Sequence, residues 1–106
     1  GYRLESFCKM DAVEYRGFDS VYFMNAEISE EKLKEAAVKI LLDPACGNVF
    51  RIKGFIRKGS GWLQLNATHS VVELRPIGTG QEVLIVIGEN LKAEVISDIL
   101  GAKPAV

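Results

Sequence analysis

The chain has few of the residues that build reactive centres. In 106 residues it holds two cysteines, one histidine, one tryptophan and three prolines. Two cysteines cannot make a disulfide scaffold, so Cys8 and Cys46 are expected as reduced thiols of a cytoplasmic protein. A closed zinc site draws four ligands from clustered cysteine and histidine. Cys8, Cys46 and His69 supply three, widely spread. They are the candidate metal ligands, and they fall short of a closed site. No apolar run approaches the length that crosses a bilayer and no secretory signal pattern is present, so no membrane partner is expected. An excess of one charge is also missing: 13 Lys and Arg face 14 Asp and Glu, for a net charge of −1. That removes a global electrostatic case for nucleic acid and leaves it to local patches.

What is present fits one folded domain, with 48% hydrophobic and 25% charged residues. The opening "GYRLESFCKMDAVEYRG" (1–17) has no clean period and reads as a lead-in or linker remnant, leaving the domain to residues 18–106. "SVYFMNA" (Ser20–Ala26) is apolar on both alternating faces, as in a strand covered on two sides. Ser29 then offers an N-cap, with Glu30 and Glu31 favourably placed in the first turn. Leu33, Ala36, Ala37, Ile40 and Leu41 recur at helical spacing, and Pro44 stops the helix. Three β-like runs follow, then "GTGQ", then "EVLIVIG", which is apolar on both faces and expected inside a sheet. A last helix is expected from Leu91 to Leu100, capped by Asn90 and ended by Gly101. The order β-α-β-β-β-β-α predicts an α+β, two-layer sandwich: a mostly antiparallel sheet with two helices on one face.

The stretch "GFIRKGSGWLQL" (Gly54–Leu65) has the glycine content of a phosphate loop, and spacing decides against it. A P-loop places lysine after its second glycine, then a hydroxyl for magnesium, then a helix. Here Ser60 and Gly61 hold those places, Lys58 precedes Gly59, and a strand follows. A hairpin accounts for the stretch better. With a turn over Lys58–Gly61, Arg57 opposes Trp62, Ile56 opposes Leu63, Gly54 opposes Leu65 and Ile52 opposes Ala67. The other face, to which the Arg57–Trp62 pair belongs, also sets Phe55 against Gln64, Lys53 against Asn66 and Arg51 against Thr68. A second turn at His69-Ser70 sets Ala67 against Val72, Leu65 against Leu74, Asn66 against Glu73 and Gln64 against Arg75. Two independent turns give one meander with an apolar face and a wet face.

The wet face carries the candidate interaction surface: Arg51, Lys53, Phe55, Arg57, Trp62 and Arg75. Arginine beside aromatics is the composition of protein contact centres. The same mixture on a sheet can also stack bases and hold phosphates, which is the alternative reading. A weak metal module on Cys8, Cys46 and His69 is the other. No nucleophile, base and orienting group fall into a catalytic arrangement, so no enzyme activity is expected. The glutamates of the first helix serve its cap and its solvated face.

"FDSVYFMNAEISEEKLKEAAVKILLD", "VFRIKGFIRKGSGWLQLNATHSVVELRPI" and "QEVLIVIGENL", in that order, resemble the C-terminal domain of CobW-type GTPases. Lys53-Gly54-Phe55 matches the family's basic-glycine-aromatic step, the next strand carries Trp62, and Ile87-Gly88-Glu89-Asn90-Leu91 matches its final strand exit. The likeness spans Phe18 to Leu100 and lies in the order and spacing of short motifs. It implies that the full-length protein joins this domain to an N-terminal P-loop GTPase concerned with metal ions such as zinc or cobalt and with cobalamin metabolism. GTP, magnesium and metal would belong to that domain, through a Walker motif and a Cys-x-Cys-Cys segment that this chain lacks. No cofactor is expected here. The implied partner is the GTPase domain or a client metalloprotein.

Overall fold

The structure, a computed structural model, describes residues 18–24, 26–102 and 104–105. The lead-in, with Cys8, lies outside the described residues. Strand β1 (Asp19–Met24) leads to helix α1 (Glu30–Leu42) and a short helical turn (Pro44–Cys46). The meander β2 (Asn48–Lys58), β3 (Gly61–Ala67) and β4 (Val72–Ile77) follows, then β5 (Val83–Glu89), α2 (Ala93–Leu100) and β6 (Pro104–Ala105). The expected order holds, with β6 added as two residues on the free edge of β1. A pair that short leaves no periodic trace in a sequence.

Helix α1 is built as its sequence dictates. The Ser29 side chain accepts from the Lys32 N–H at 3.3 Å, and Leu33, Ala36, Ala37, Ile40 and Leu41 form the buried stripe. Ahead of Pro44, Asp43 leaves helical geometry with ψ 114°, and its Oδ1 accepts from the Ala45 N–H at 2.9 Å. The start of α2 differs from expectation. It begins at Ala93, with no side-chain cap on its first turn. Asn90 adopts φ +53° and turns the chain instead, while the Lys92 N–H donates to the Cys46 carbonyl at 3.0 Å. A residue that tolerates left-handed geometry was needed more at the strand exit than at the cap.

Every strand pair is antiparallel, in the order β4-β3-β2-β5-β1-β6. Strands β1 and β2 flank β5, so α1 is the crossover of a split β-α-β unit. The registers of both hairpins are those required by the apolar pattern, from Ile52↔Ala67 to Arg57↔Trp62 and from Ala67↔Val72 to Gln64↔Arg75. The expected Arg51–Thr68 pair lies beyond the end of β3, and a bulge between Val49 and Arg51 adjusts β2 to β5 there. Gly54 sits where β2 meets β5. A Cβ on it would come 2.1 Å from the Val83 carbonyl oxygen, and its φ is +153°, so only glycine fits.

Ile52, Ile56, Leu63, Leu65, Ala67, Leu84 and Val86 face the helices and join Leu33, Ile40, Ile96 and Leu100 in the main core. A second, smaller cluster lies on the opposite side of the sheet: Val83, Ile85 and Ile87, flanked by Tyr22, Met24 and Phe55. No residue of either helix belongs to it. Strand β5 is buried from Val83 to Gly88, which is why its run reads as apolar without alternation.

Candidate functional site

The period of two along a strand sends every second side chain of the meander away from the helices. Arg51, Lys53, Phe55 and Arg57 on β2, Trp62 on β3 and Arg75 on β4 therefore share the second face, as their register requires. Lys53 is half-buried on β2, and the other five fall into three settings. Arg51 Nε donates to Asn66 Oδ1 at 3.0 Å, and Phe55 packs on the Val83/Ile85/Ile87 cluster. At the edge, Arg75 lies 3.7 Å from Glu73, the arginine largely in solvent and the glutamate half-buried. Between these, the Arg57 guanidinium rests 5.1 Å from the centroid of the Trp62 ring. That separation is within range of a cation–π attraction.

One part of this surface was not legible from local pattern. To reach β5, the chain after β4 must pass the ends of β3 and β2. The connecting segment, read from the sequence only as a gap at "GTGQ", lies against the aromatic pair. A Cβ on Gly80 would stand 3.0 Å from Trp62 Cδ2 and 3.1 Å from Phe55 Cδ2. A side chain at this position would crowd both rings, so Gly80 lets the loop lie close against Trp62. Ile77, cross-strand from Trp62, is half-buried beside it.

The hairpin tip is tied to the other layer. Lys58 Nζ donates to Glu30 Oε1 at 2.5 Å, joining β2 to the first turn of α1. That hydrogen bond, helped by the charges of Lys58 and Lys34, holds the Glu30 carboxyl below its ordinary value.

Of the candidate metal ligands, Cys46 and His69 are described, and they stand in different settings. Cys46 is fully buried, and desolvation, with the Asp43 charge nearby, pushes its thiol above the ordinary value. That favours the protonated form, which is neither ligand nor nucleophile. His69 stands at the exposed β3–β4 turn, where its Nε2–H donates to the Val49 carbonyl at 2.8 Å. Among the described residues no three His, Cys, Asp or Glu side chains gather as a metal would require. No helix of the described residues is long and apolar enough to cross a membrane.

A second surface escaped the sequence reading. Val38 (43% exposed), Leu42 (67%) and Val71 (44%) surround a cavity of about 160 Å³ between α1 and the β3–β4 turn, with His69 on its rim. Val38 and Leu42 stand four apart on α1, a spacing that could have marked an apolar stripe outside the buried one.

Residues 21–103 match the family described as the cobalamin synthesis protein cobW C-terminal domain. The chain belongs to this family. The CobW C-terminal domain is an accessory domain, not the GTPase domain. Among solved structures, the Zn(II)-bound YjiA GTPase from E. coli superposes with a TM-score of 0.61 at 14% identity, over 79% of this chain and 29% of that one. At that identity the likeness speaks for the fold. The chain thus matches under a third of the YjiA chain. No curated protein matches it.

Proposed function

We propose that this CobW C-terminal domain is a non-catalytic accessory module of a metal-handling GTPase, and that it works by protein contact through the second sheet face. The intended partner is the GTPase domain of the same protein, with a client metalloprotein as the other candidate. The observation that carries the reading is the Arg57–Trp62–Gly80 corner. An arginine and an aromatic are held side by side, partly open, on a face that receives neither helix. Arginine and tryptophan are the residues in which contact energy concentrates.

The same corner weighs against nucleic acid. The Trp62 ring is already engaged by Arg57 and by Gly80, so a stacked base would have to displace one of them. The whole chain is near neutral, which supplies no long-range attraction for a phosphate backbone. GTP, magnesium and zinc or cobalt belong, in this reading, to the GTPase domain. The test is co-purification of the domain with the polypeptide encoded directly upstream, where a P-loop and a Cys-x-Cys-Cys segment are expected. Replacing Trp62 and Arg57 together by alanine is expected to abolish capture. Undiminished capture by this double variant would place the contact elsewhere.

A further inference from the structure

We infer that the Arg57–Trp62 corner receives a carboxylate, so that the segment it binds on the GTPase domain is acidic with an adjoining apolar side chain. This rests on the reading of the second face as a protein-contact surface and names the chemistry of that contact.

The neighbouring cations are engaged: Lys58 by Glu30 at 2.5 Å, Arg75 by Glu73 at 3.7 Å and Arg51 by Asn66 at 3.0 Å. Arg57 is exposed, and among the described residues no carboxylate pairs with it. Its guanidinium lies over Trp62 at 5.1 Å. A guanidinium drawn to a ring by its charge keeps its fork of N–H donors for a carboxylate, which can take two of them at once. The ring contact also restricts the side chain before any partner arrives, so less rotamer freedom is lost on binding. Beside the fork, Trp62, Ile77 and the wall at Gly80 form an apolar ledge. A carboxylate next to a leucine or phenylalanine would meet fork and ledge together. A lone anion would meet the fork alone.

Trp62 is the sole tryptophan, so its fluorescence reports this corner directly. The probe is the peptide acetyl-Glu-Asp-Leu-Phe-Asp-Glu-amide, compared with its all-lysine counterpart, inorganic phosphate and a twelve-residue oligouridylate. The acidic peptide is expected to shift the emission saturably, with a Kd on the order of 0.1–1 mM for so short a ligand. Arg57→Gln is expected to weaken it about tenfold and Arg57→Lys about threefold, since lysine keeps the charge and loses the fork. Salt is expected to weaken it as well. An unchanged thermal melt checks that each variant is folded. The assignment is overturned by no response to the acidic peptide up to about 10 mM, tenfold beyond that range. It is also overturned by equal affinity in Arg57→Gln, by phosphate competing as well as the peptide, or by a response to the oligouridylate only. If the Trp62/Arg57 double variant loses the upstream polypeptide while the peptide titration stays silent, only the carboxylate assignment falls. If capture is unaffected, the contact surface itself is wrong.

Discussion

The two faces of one sheet were made from the same strands and obey different rules. On β2 and β3 the residues toward the helices (Ile52, Ile56, Leu63, Leu65, Ala67) are buried, while their immediate neighbours Arg51, Lys53, Phe55, Gln64 and Asn66 are half-buried. The helix face is apolar across the sheet, buried on β2, β3 and β5 and partly buried at Val21, Val72 and Leu74. The second face is graded. Around β5 it is apolar and closed, with Ile85 and Ile87 at 0% exposure, and toward β4 it turns polar and open. The difference separates two tasks. The helix face fixes the fold, and the graded face holds an arginine without burying it.

Four measurements break or sharpen that contrast. The largest effect is expected where both faces depend on one backbone contact. Gly54→Ala forces a Cβ into the Val83 carbonyl and should cost more than about 4 kcal/mol, read as loss of a cooperative melt. Next come matched truncations on the two sides of the sheet. Ile52→Ala on the helix face and Ile85→Ala on the second face are both fully buried, and each should cost about 2–5 kcal/mol in denaturant titration. A markedly cheaper Ile85→Ala would mean that the closed end of the second face opens readily in solution.

Third, burial raises the Cys46 thiol. The folded state then keeps its proton to higher pH than the unfolded chain does. The stability it contributes is complete below the unfolded thiol value, about 8.5, and is lost as pH rises through the folded one. Alkaline pH titration of stability should therefore show a decline that Cys46→Ala removes. The smallest effect concerns the tie between the layers. Glu30 is depressed by Lys58, so its contribution is present above the ordinary carboxylate range and lost as pH falls through the lower folded value. Glu30→Gln should flatten the acid limb slightly, and the pair should fade with salt.

Much of this fold was legible because it follows from local rules. The stripe Leu33/Ala36/Ala37/Ile40/Leu41 fixed helix α1 and its buried side. The requirement that apolar residues oppose apolar residues fixed both hairpin registers to the residue. It also placed Arg51, Lys53, Phe55, Arg57, Trp62 and Arg75 on one face, because a slip by one would bury the charges. The Asn90 cap failed because two uses competed for one residue, and the strand exit took it. The partners of the face residues were not legible, since side-chain reach and long-range closure set them: Arg51 on Asn66, Lys58 on Glu30, Gly80 on Trp62.

By itself, then, the sequence determined the elements, the register and the facing, since these depend on periods of two and of 3.6 and on turns of a few residues. Only the tertiary structure decided that β5 lies between β1 and β2, that a two-residue strand closes the edge, and that the β4–β5 connection lies across Trp62. Those outcomes depend on contacts between residues far apart in the chain, for which local periodicity carries no information. The Arg57–Trp62 corner belongs to both. Its composition was written in adjacent strands, and its shape was set by a loop from elsewhere.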